Sequence, residues 1–191
     1  MEERTAATAL SSSGERLLFL AGPSGVGKST VATALSLSLD LFHLDGDQHD
    51  AFKVHGLRKV WGEFWSDRNV HPLAQALRTL GAAKGREGVV VSLASRKKRL
   101  LDPDHVALAR DAGIETIVLW GEEEFCRHAR RRRDRENGRP WSRAKYDEGN
   151  RRAFELYGKS DYETARIDVF MPDGSRRRME ETLAAIRARG A

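Results

Sequence analysis

The segment with the most specific chemistry is a glycine-rich turn over residues 22–30, which reads GPSGVGKST. It matches the spacing G-x-x-x-x-G-K-[ST], in which glycines let successive backbone N–H groups point inward around a phosphate. We expect Lys28 to reach the β- and γ-phosphates of a nucleoside triphosphate and the Ser29 hydroxyl to ligate Mg²⁺. A turn without a ligand is the alternative, but an apolar run precedes this phosphate loop and an Ala-rich stretch follows it, as the motif requires. The residues predicted to bind the nucleotide are Gly22, Ser24, Gly25, Val26, Gly27, Lys28, Ser29 and Thr30.

Two aspartates, Asp45 and Asp47, follow the second apolar run of the chain. Side chains two residues apart on a strand face the same side. If this strand lies beside the first, both carboxylates come close to the phosphate loop, at the sheet edge where open α/β proteins bind ligands. One carboxylate would then hold Mg²⁺ through water, and the other would accept a proton from an attacking hydroxyl. The alternative is a simple turn, since Asp-Gly-Asp is a good turn former.

These residues need a scaffold, and the chain alternates short apolar runs with longer amphipathic stretches. Near-continuous hydrophobic runs such as 89–91 and 117–119 are typical of strands covered on both faces of a parallel sheet. The pattern predicts a three-layer α/β fold, with a parallel sheet of about five strands and helices on both faces. Residues 1–14 lack a periodic pattern, so we expect a flexible tail followed by one domain over 15–191. Strands are predicted at 17–21, 41–44, 89–93, 114–120 and 166–171, and helices at 28–39, 72–84, 103–112, 122–135, 142–157 and 175–189.

Composition excludes several classes of protein. The chain has 191 residues, of which 40% are hydrophobic and 32% charged, and its formal net charge is +5. Such a composition excludes intrinsic disorder and collagen, and no apolar run reaches the roughly 18 residues that a membrane span needs. The single cysteine, Cys126, cannot form an intrachain disulfide, and the acidic, Ser/Ala-rich start does not resemble a signal peptide. We therefore expect a cytoplasmic protein without membrane contact.

The phosphate loop, followed about twenty residues later by the letters LDGD, resembles the shikimate kinase-like small-molecule kinases, and among them the gluconate and adenylylsulfate kinases. The resemblance spans residues 15–190, although only the first fifty are specific. It implies a P-loop kinase fold with an arginine-rich lid, and ATP with Mg²⁺ as cofactors. In these families the two acidic residues serve the metal and the acceptor, which implies Asp45 on the metal side and Asp47 as the base. Lys28 is then catalytic as well as nucleotide-binding.

The acceptor itself stays open. Adenylylsulfate kinases carry an arginine where this chain has Asp50, and gluconate kinases carry a His-Pro pair where this chain offers His49 one position early. We expect a small, polar, anionic acceptor, and a nucleoside or antibiotic fits as well. A nucleoside monophosphate kinase is the second hypothesis, and a nucleotide-gated binding protein without acceptor chemistry is the third. The basic residues that would form the acceptor site are Arg58, Arg68, Arg96 and Lys97, of which Arg68 also follows from the resemblance.

Seven arginines crowd the segment 127–139. The resemblance places here a helix that leads into a mobile lid, whose arginines neutralise the transferring phosphoryl group. Arg130 and Arg133 are three residues apart and share a helix face, so they are the predicted catalytic arginines. A solvated helix face and a nucleic-acid surface are the alternatives. Nucleic acid is not the expected partner, and the chain is expected to be a monomer or a homodimer.

Overall fold

A five-stranded parallel sheet forms the centre of the fold, in the strand order β2-β3-β1-β4-β5. The computed structural model describes residues 15–46, 50–93 and 100–189, so the predicted tail lies outside the described residues. The predicted α/β class is confirmed. The strands are β1 (Arg16–Ala21), β2 (Leu41–Asp45), β3 (Gly88–Ser92), β4 (Ile114–Trp120) and β5 (Arg166–Asp168).

Helices cover both faces of this sheet, and all six predicted helices are present. None of the helices in the described ranges is long and apolar enough to cross a membrane. A short 3₁₀ helix, Ser160–Ala165, precedes β5. The α-helices are α1 (Lys28–Ser38), α2 (Ala51–Val54), α3 (Arg58–Asp67), α4 (His71–Ala83), α5 (Pro103–Asp111), α6 (Glu123–Glu136), α7 (Arg143–Tyr157) and α8 (Met179–Arg187).

Strand β2 does not lie beside β1, because β3 lies between them. The register pairs Ser92 of β3 with Asp45 on one side and with Leu20 on the other. Burial explains the order. All five residues of β3 are buried, as suits a central strand, whereas Phe42 and His43 of β2 are only partly buried and suit an edge strand. Asp45 therefore reaches the carboxyl edge of the sheet one strand farther from the phosphate loop than predicted.

The hydrophobic core lies in two layers because alternate residues of β1 face opposite sides of the sheet. Leu17 and Phe19 pack with helices α3 and α4, while Leu18 and Leu20 pack with α1 and α8. In the first layer, Trp61 of α3 stacks on Phe52 with ring centroids 3.9 Å apart. Trp61 and Phe64 of α3 are buried and thus form the packing face of a small helical cap.

Helix α8 begins at Met179, four residues later than the sequence predicts. The preceding segment is a tight turn, in which Asp173 accepts hydrogen bonds from the backbone N–H and the hydroxyl of Ser175. An antiparallel bridge then pairs Phe170 with Arg176. These contacts hold the chain in an extended conformation and direct Arg176 toward the phosphate loop.

Candidate active site

The phosphate loop connects β1 to α1 as the motif predicts. Its lysine, Lys28, is buried, and its Nζ donates to the carbonyl oxygens of Gly22 at 2.9 Å and Pro23 at 3.0 Å. The N-cap of α1 is Gly27, which makes no side-chain capping hydrogen bond to the first turn of the helix. A helix N-terminus of this kind is an anion site because its N–H groups carry partial positive charge.

Two glycines of this loop combine a positive φ with a neighbouring atom close to where a Cβ would lie. Gly25 has φ +93°, and a Cβ there would lie 2.1 Å from the carbonyl oxygen of Cys126 in α6. Gly27 has φ +99°, and a Cβ there would lie 2.6 Å from Nη1 of Arg176. The loop is therefore pressed between α6 and the segment that precedes α8.

Arg176 holds the outer side of the loop and was not predicted from the sequence. Its Nη2 donates to the carbonyl of Gly25 at 2.8 Å, and its Nη1 donates to the carbonyl of Val26 at 3.1 Å. Its guanidinium also lies 4.8 Å from the ring centroid of Phe170, a cation–π distance. Burial lowers the pKa of Arg176. This direction of the pKa shift reflects the loss of solvent around a guanidinium that donates to the two loop carbonyls.

A cavity of about 820 Å³, the phosphate-loop cavity, opens on the inner side of the loop. It brings together residues that the sequence predicted from three separate motifs. The side chains of α6 and of the α6–α7 connection close it opposite the loop. The predicted residues that line it are Ser24, Lys28, Ser29, Asp45, Arg130 and Arg133.

Arg130 is held in place before any ligand binds. Its Nε donates to Oδ2 of Asp134 at 2.8 Å, and its Nη1 donates to the hydroxyl of Ser24 at 3.0 Å. The Asp134 side chain is only 7% exposed, whereas the Arg130 side chain is 30% exposed, so the buried carboxylate anchors an arginine that still reaches the cavity. Arg133 and Arg139 also line the cavity, whereas Arg131 and Arg135 are exposed and lie outside its lining. The arginine cluster thus divides between the cavity and a solvated helix face.

Asp45 is oriented by a short hydrogen-bond chain at the ends of β2 and β3. The Ser92 hydroxyl donates to Oδ1 of Asp45 at 3.2 Å, and Nε2 of His43 lies 3.0 Å from the same hydroxyl. Burial lowers the pKa of His43, against the opposing effect of the Asp45 carboxylate. A largely buried serine therefore sets the direction of the Asp45 carboxylate toward the cavity.

Of the predicted acceptor residues, the two that the structure describes, Arg58 and Arg68, do not line this cavity. Arg58 is exposed at the start of α3 and Arg68 caps the end of that helix, and neither is among the described residues that line the phosphate-loop cavity. Arg68 instead donates to Asp104 at 2.5 Å and to Asp102 at 3.5 Å, at the start of α5. The other predicted members, Asp47, Arg96 and Lys97, lie outside the described residues.

Sequence reasoning missed several residues that the fold brings to the cavity. Arg139 belongs to the arginine cluster that the sequence shows, but no pattern distinguishes it from its neighbours there. Asn150 and Tyr146 of α7 carried no signal for this site, because they lie more than a hundred residues from the loop. The missed lining residues include Asp134, Arg139, Trp141, Lys145, Tyr146 and Asn150.

A second cavity, the α8 cavity, lies on the outer side of the loop with a volume of about 310 Å³. It shares Arg130 and Arg133 with the first cavity, so the two are neighbours across the loop. Apolar side chains share its walls with five arginines and Glu136. The residues that characterise it are Thr30, Val31, Ala129, Val169, Arg176 and Met179.

Sequence comparison finds relatives for most of the chain. Residues 17–156 match the family model AAA_33, described as an AAA domain. A shikimate kinase from Chlorobium luteolum is 32% identical over 144 residues, a match that spans 73% of this chain and 69% of the relative.

Solved structures share the fold at lower identity. A gluconokinase from Sinorhizobium meliloti is 18% identical with a TM-score of 0.50, over 93% of this chain and 92% of that one. The adenylylsulfate (APS) kinase of Mycobacterium tuberculosis, solved with AMPPNP and APS, is 23% identical with a TM-score of 0.51, over 92% of this chain and 98% of that one. These two likenesses establish the P-loop kinase fold.

Proposed function

This chain belongs to the AAA_33 family and is a small-molecule kinase of the shikimate, gluconate and adenylylsulfate kinase type, and on that basis we propose the reaction that it catalyses. It transfers the γ-phosphoryl group of ATP, with Mg²⁺ as cofactor, to a hydroxyl group of a small anionic metabolite. The observation that carries this proposal is the phosphate-loop cavity, which unites Lys28 and Ser29 with Asp45 and with the arginines of α6.

The roles of these residues follow from charge. Transfer of a phosphoryl group needs positioning and neutralisation more than covalent chemistry, because charge spreads over the phosphoryl oxygens in the transition state. Lys28 and the N-terminus of α1 bind the phosphates, and Arg130 and Arg133 face them from the opposite wall. Arg130 needs little reorganisation to act, since Asp134 and Ser24 already orient it. Asp47 is proposed to accept the proton of the acceptor hydroxyl.

Ser29 and Asp45 fit Mg²⁺. Both offer oxygen ligands and line the same cavity, and Mg²⁺ is usually held by one or two protein oxygens together with phosphate oxygens and water. The Ser92 hydroxyl donates to Oδ1 of Asp45 and so helps to orient the carboxylate. When bound, the ion would neutralise phosphate charge and help to orient the nucleotide.

The α8 cavity is proposed to hold the nucleoside part of ATP. It adjoins the phosphate loop on the side away from Asp45, and Val31, Ala129 and Met179 supply apolar surface for a base. The triphosphate would then cross the loop beneath Arg130 and Arg133, which border both cavities. This path places the γ-phosphate in the phosphate-loop cavity.

Shikimate is the first acceptor to test, because this chain is 32% identical to a shikimate kinase. The experiment is a coupled ADP-release assay with shikimate, gluconate, adenylylsulfate, nucleosides, nucleoside monophosphates and aminoglycosides. Lys28→Met is the inactive variant, and Lys159→Met, at an exposed lysine outside the site, is its matched control.

We expect one hydroxylated anion to stimulate ADP release well above the acceptor-free rate, and we expect Lys28→Met to abolish that stimulation. Preference for a nucleoside monophosphate would replace the proposed acceptor class with the nucleotide kinase alternative. ATP binding without stimulation by any compound would favour the nucleotide-gated binding protein.

A further inference from the structure

Ser24, in the middle of the phosphate loop, has all its polar groups engaged by two distant helices. Its backbone N–H donates to Oδ1 of Asn150 at 2.8 Å, and its carbonyl accepts from the hydroxyl of Tyr146 at 2.9 Å. Its own hydroxyl accepts from Nη1 of Arg130 at 3.0 Å. Two of these contacts come from α7 and one from α6, so a single residue links the loop to both helices.

The α7 partners are built into the protein interior. Asn150 is 5% exposed and Tyr146 is 6% exposed. The Asn150 side-chain nitrogen donates to the carbonyl of Tyr146 at 2.9 Å, one helical turn away. The two contacts together determine which way the amide faces, because the Tyr146 carbonyl can only accept and the Ser24 N–H can only donate. The amide oxygen is therefore committed to the loop.

The loop needs such support because of its glycines. Gly22 and Gly25 flank the Pro23-Ser24 pair, and glycine loses more conformational freedom on ordering than any other residue. A loop that is ordered before the ligand arrives does not lose that freedom during binding, which improves affinity. On the outer side, Arg176 already holds the carbonyls of Gly25 and Val26.

We propose that Asn150 and Tyr146 are positioning residues of the nucleotide site: they act through the Ser24 peptide to hold the phosphate loop in its nucleotide-binding form. Because Arg130 is anchored to the Ser24 hydroxyl, the same pair also fixes the arginine relative to the loop. This inference rests on the proposed function, since it assigns α7 a part in the binding of ATP.

The test is calorimetric titration of the full chain with MgADP, which needs no acceptor. Tyr146→Phe removes only the hydroxyl that holds the Ser24 carbonyl, and Asn150→Leu removes the amide while keeping the branching and the number of heavy atoms of the side chain. The matched control is Tyr157→Phe, because the Tyr157 hydroxyl is also buried in α7 but accepts from the N–H of Leu101, away from the loop. We expect the Kd for MgADP to rise roughly fivefold in Tyr146→Phe, the equivalent of one net hydrogen bond, and further in Asn150→Leu.

Tyr157→Phe should lower the thermal midpoint of unfolding by about as much as Tyr146→Phe, while its Kd for MgADP stays at the wild-type value. A lower midpoint with unchanged Kd in both Tyr146→Phe and Asn150→Leu would show a purely structural role and overturn the inference. If Asn150→Leu does not fold, Tyr146→Phe decides alone. Wild-type protein that binds MgADP but transfers no phosphoryl group would refute the proposed function and leave this inference standing, whereas failure to bind MgADP would overturn both.

Discussion

Arg130 and Asp134 form an ion pair on α6, with Nε 2.8 Å from Oδ2 and with the carboxylate buried, between the phosphate loop and the cavity that faces it. A buried carboxylate in this position holds the arginine in one orientation, because the charge-assisted bond is strong and directional. The pair therefore gives the predicted catalytic arginine a fixed direction before the nucleotide binds.

Asp134→Asn should reduce kcat about tenfold or more, even when the fold is preserved. The reason is that a small displacement of the Arg130 guanidinium weakens its stabilisation of the transition state. The variant keeps the volume of the side chain and removes the charge that orients Arg130. Steady-state kinetics with ATP and the best acceptor measure the effect. Glu63→Gln, which breaks an exposed i,i+4 pair with Lys59, should leave kcat unchanged. Equal kcat in Asp134→Asn and wild type would contradict the orienting role.

Gly25→Ala should abolish nucleotide binding and destabilise the fold, because its Cβ would meet the Cys126 carbonyl at 2.1 Å in a backbone conformation that alanine avoids. Gly62→Ala is the contrasting substitution. Gly62 lies within α3 with open space around it, so alanine there should raise the free energy of unfolding by up to about 1 kcal/mol. Urea denaturation of the two variants should show shifts of opposite sign. A stable Gly25→Ala protein that binds MgADP would refute the close packing of loop and helix.

Arg176→Met should raise the KM for ATP tenfold or more, because two charge-assisted hydrogen bonds to the loop carbonyls are lost and each contributes about 1.5–3 kcal/mol. The neighbouring Arg178 is the control, since it is exposed and pairs with Glu181. Arg178→Met should leave the KM for ATP near the wild-type value. A similar KM for ATP in both variants would contradict the role of Arg176 in the nucleotide site.

Cys126 should resist thiol reagents in the folded protein. Burial raises the pKa of its thiol from the ordinary 9.0 to about 12, so almost no thiolate exists at pH 8. A disulfide reagent such as DTNB should label one thiol per chain in strong denaturant and almost none without it.

The same shift has a stability consequence with a definite sign. The stability that this thiol contributes is complete below pH 9, where the unfolded chain also keeps the proton, and it is lost as the pH rises toward 12. Rapid labelling of the native protein at pH 8 would show that the residue is accessible and contradict this assignment.

The amino-acid sequence alone predicted those features that depend on residues close together in the chain. The phosphate loop is one strand, one turn and one helix start within fifteen residues, and its glycines, Lys28 and Ser29 are specified by backbone geometry and phosphate chemistry alone. The alternation of apolar runs and amphipathic stretches likewise determined the α/β class, because each strand must bury both faces under helices. Asp45 could be placed at the end of a strand, and Arg130 on a helix face, for the same reason.

The long-range relationships were beyond the reach of sequence patterns, because they depend on which elements pack together. Insertion of β3 between β1 and β2 decided how Asp45 approaches the site. Packing of α7 against the loop joined Asn150 to Ser24 across 126 positions, and the turn before α8 joined Arg176 to Val26 across 150. Arg68 was predicted to bind the acceptor, but it pairs with carboxylates at the start of α5, outside the cavity. Such contacts arise when separate elements share one core, so the tertiary fold alone determines them.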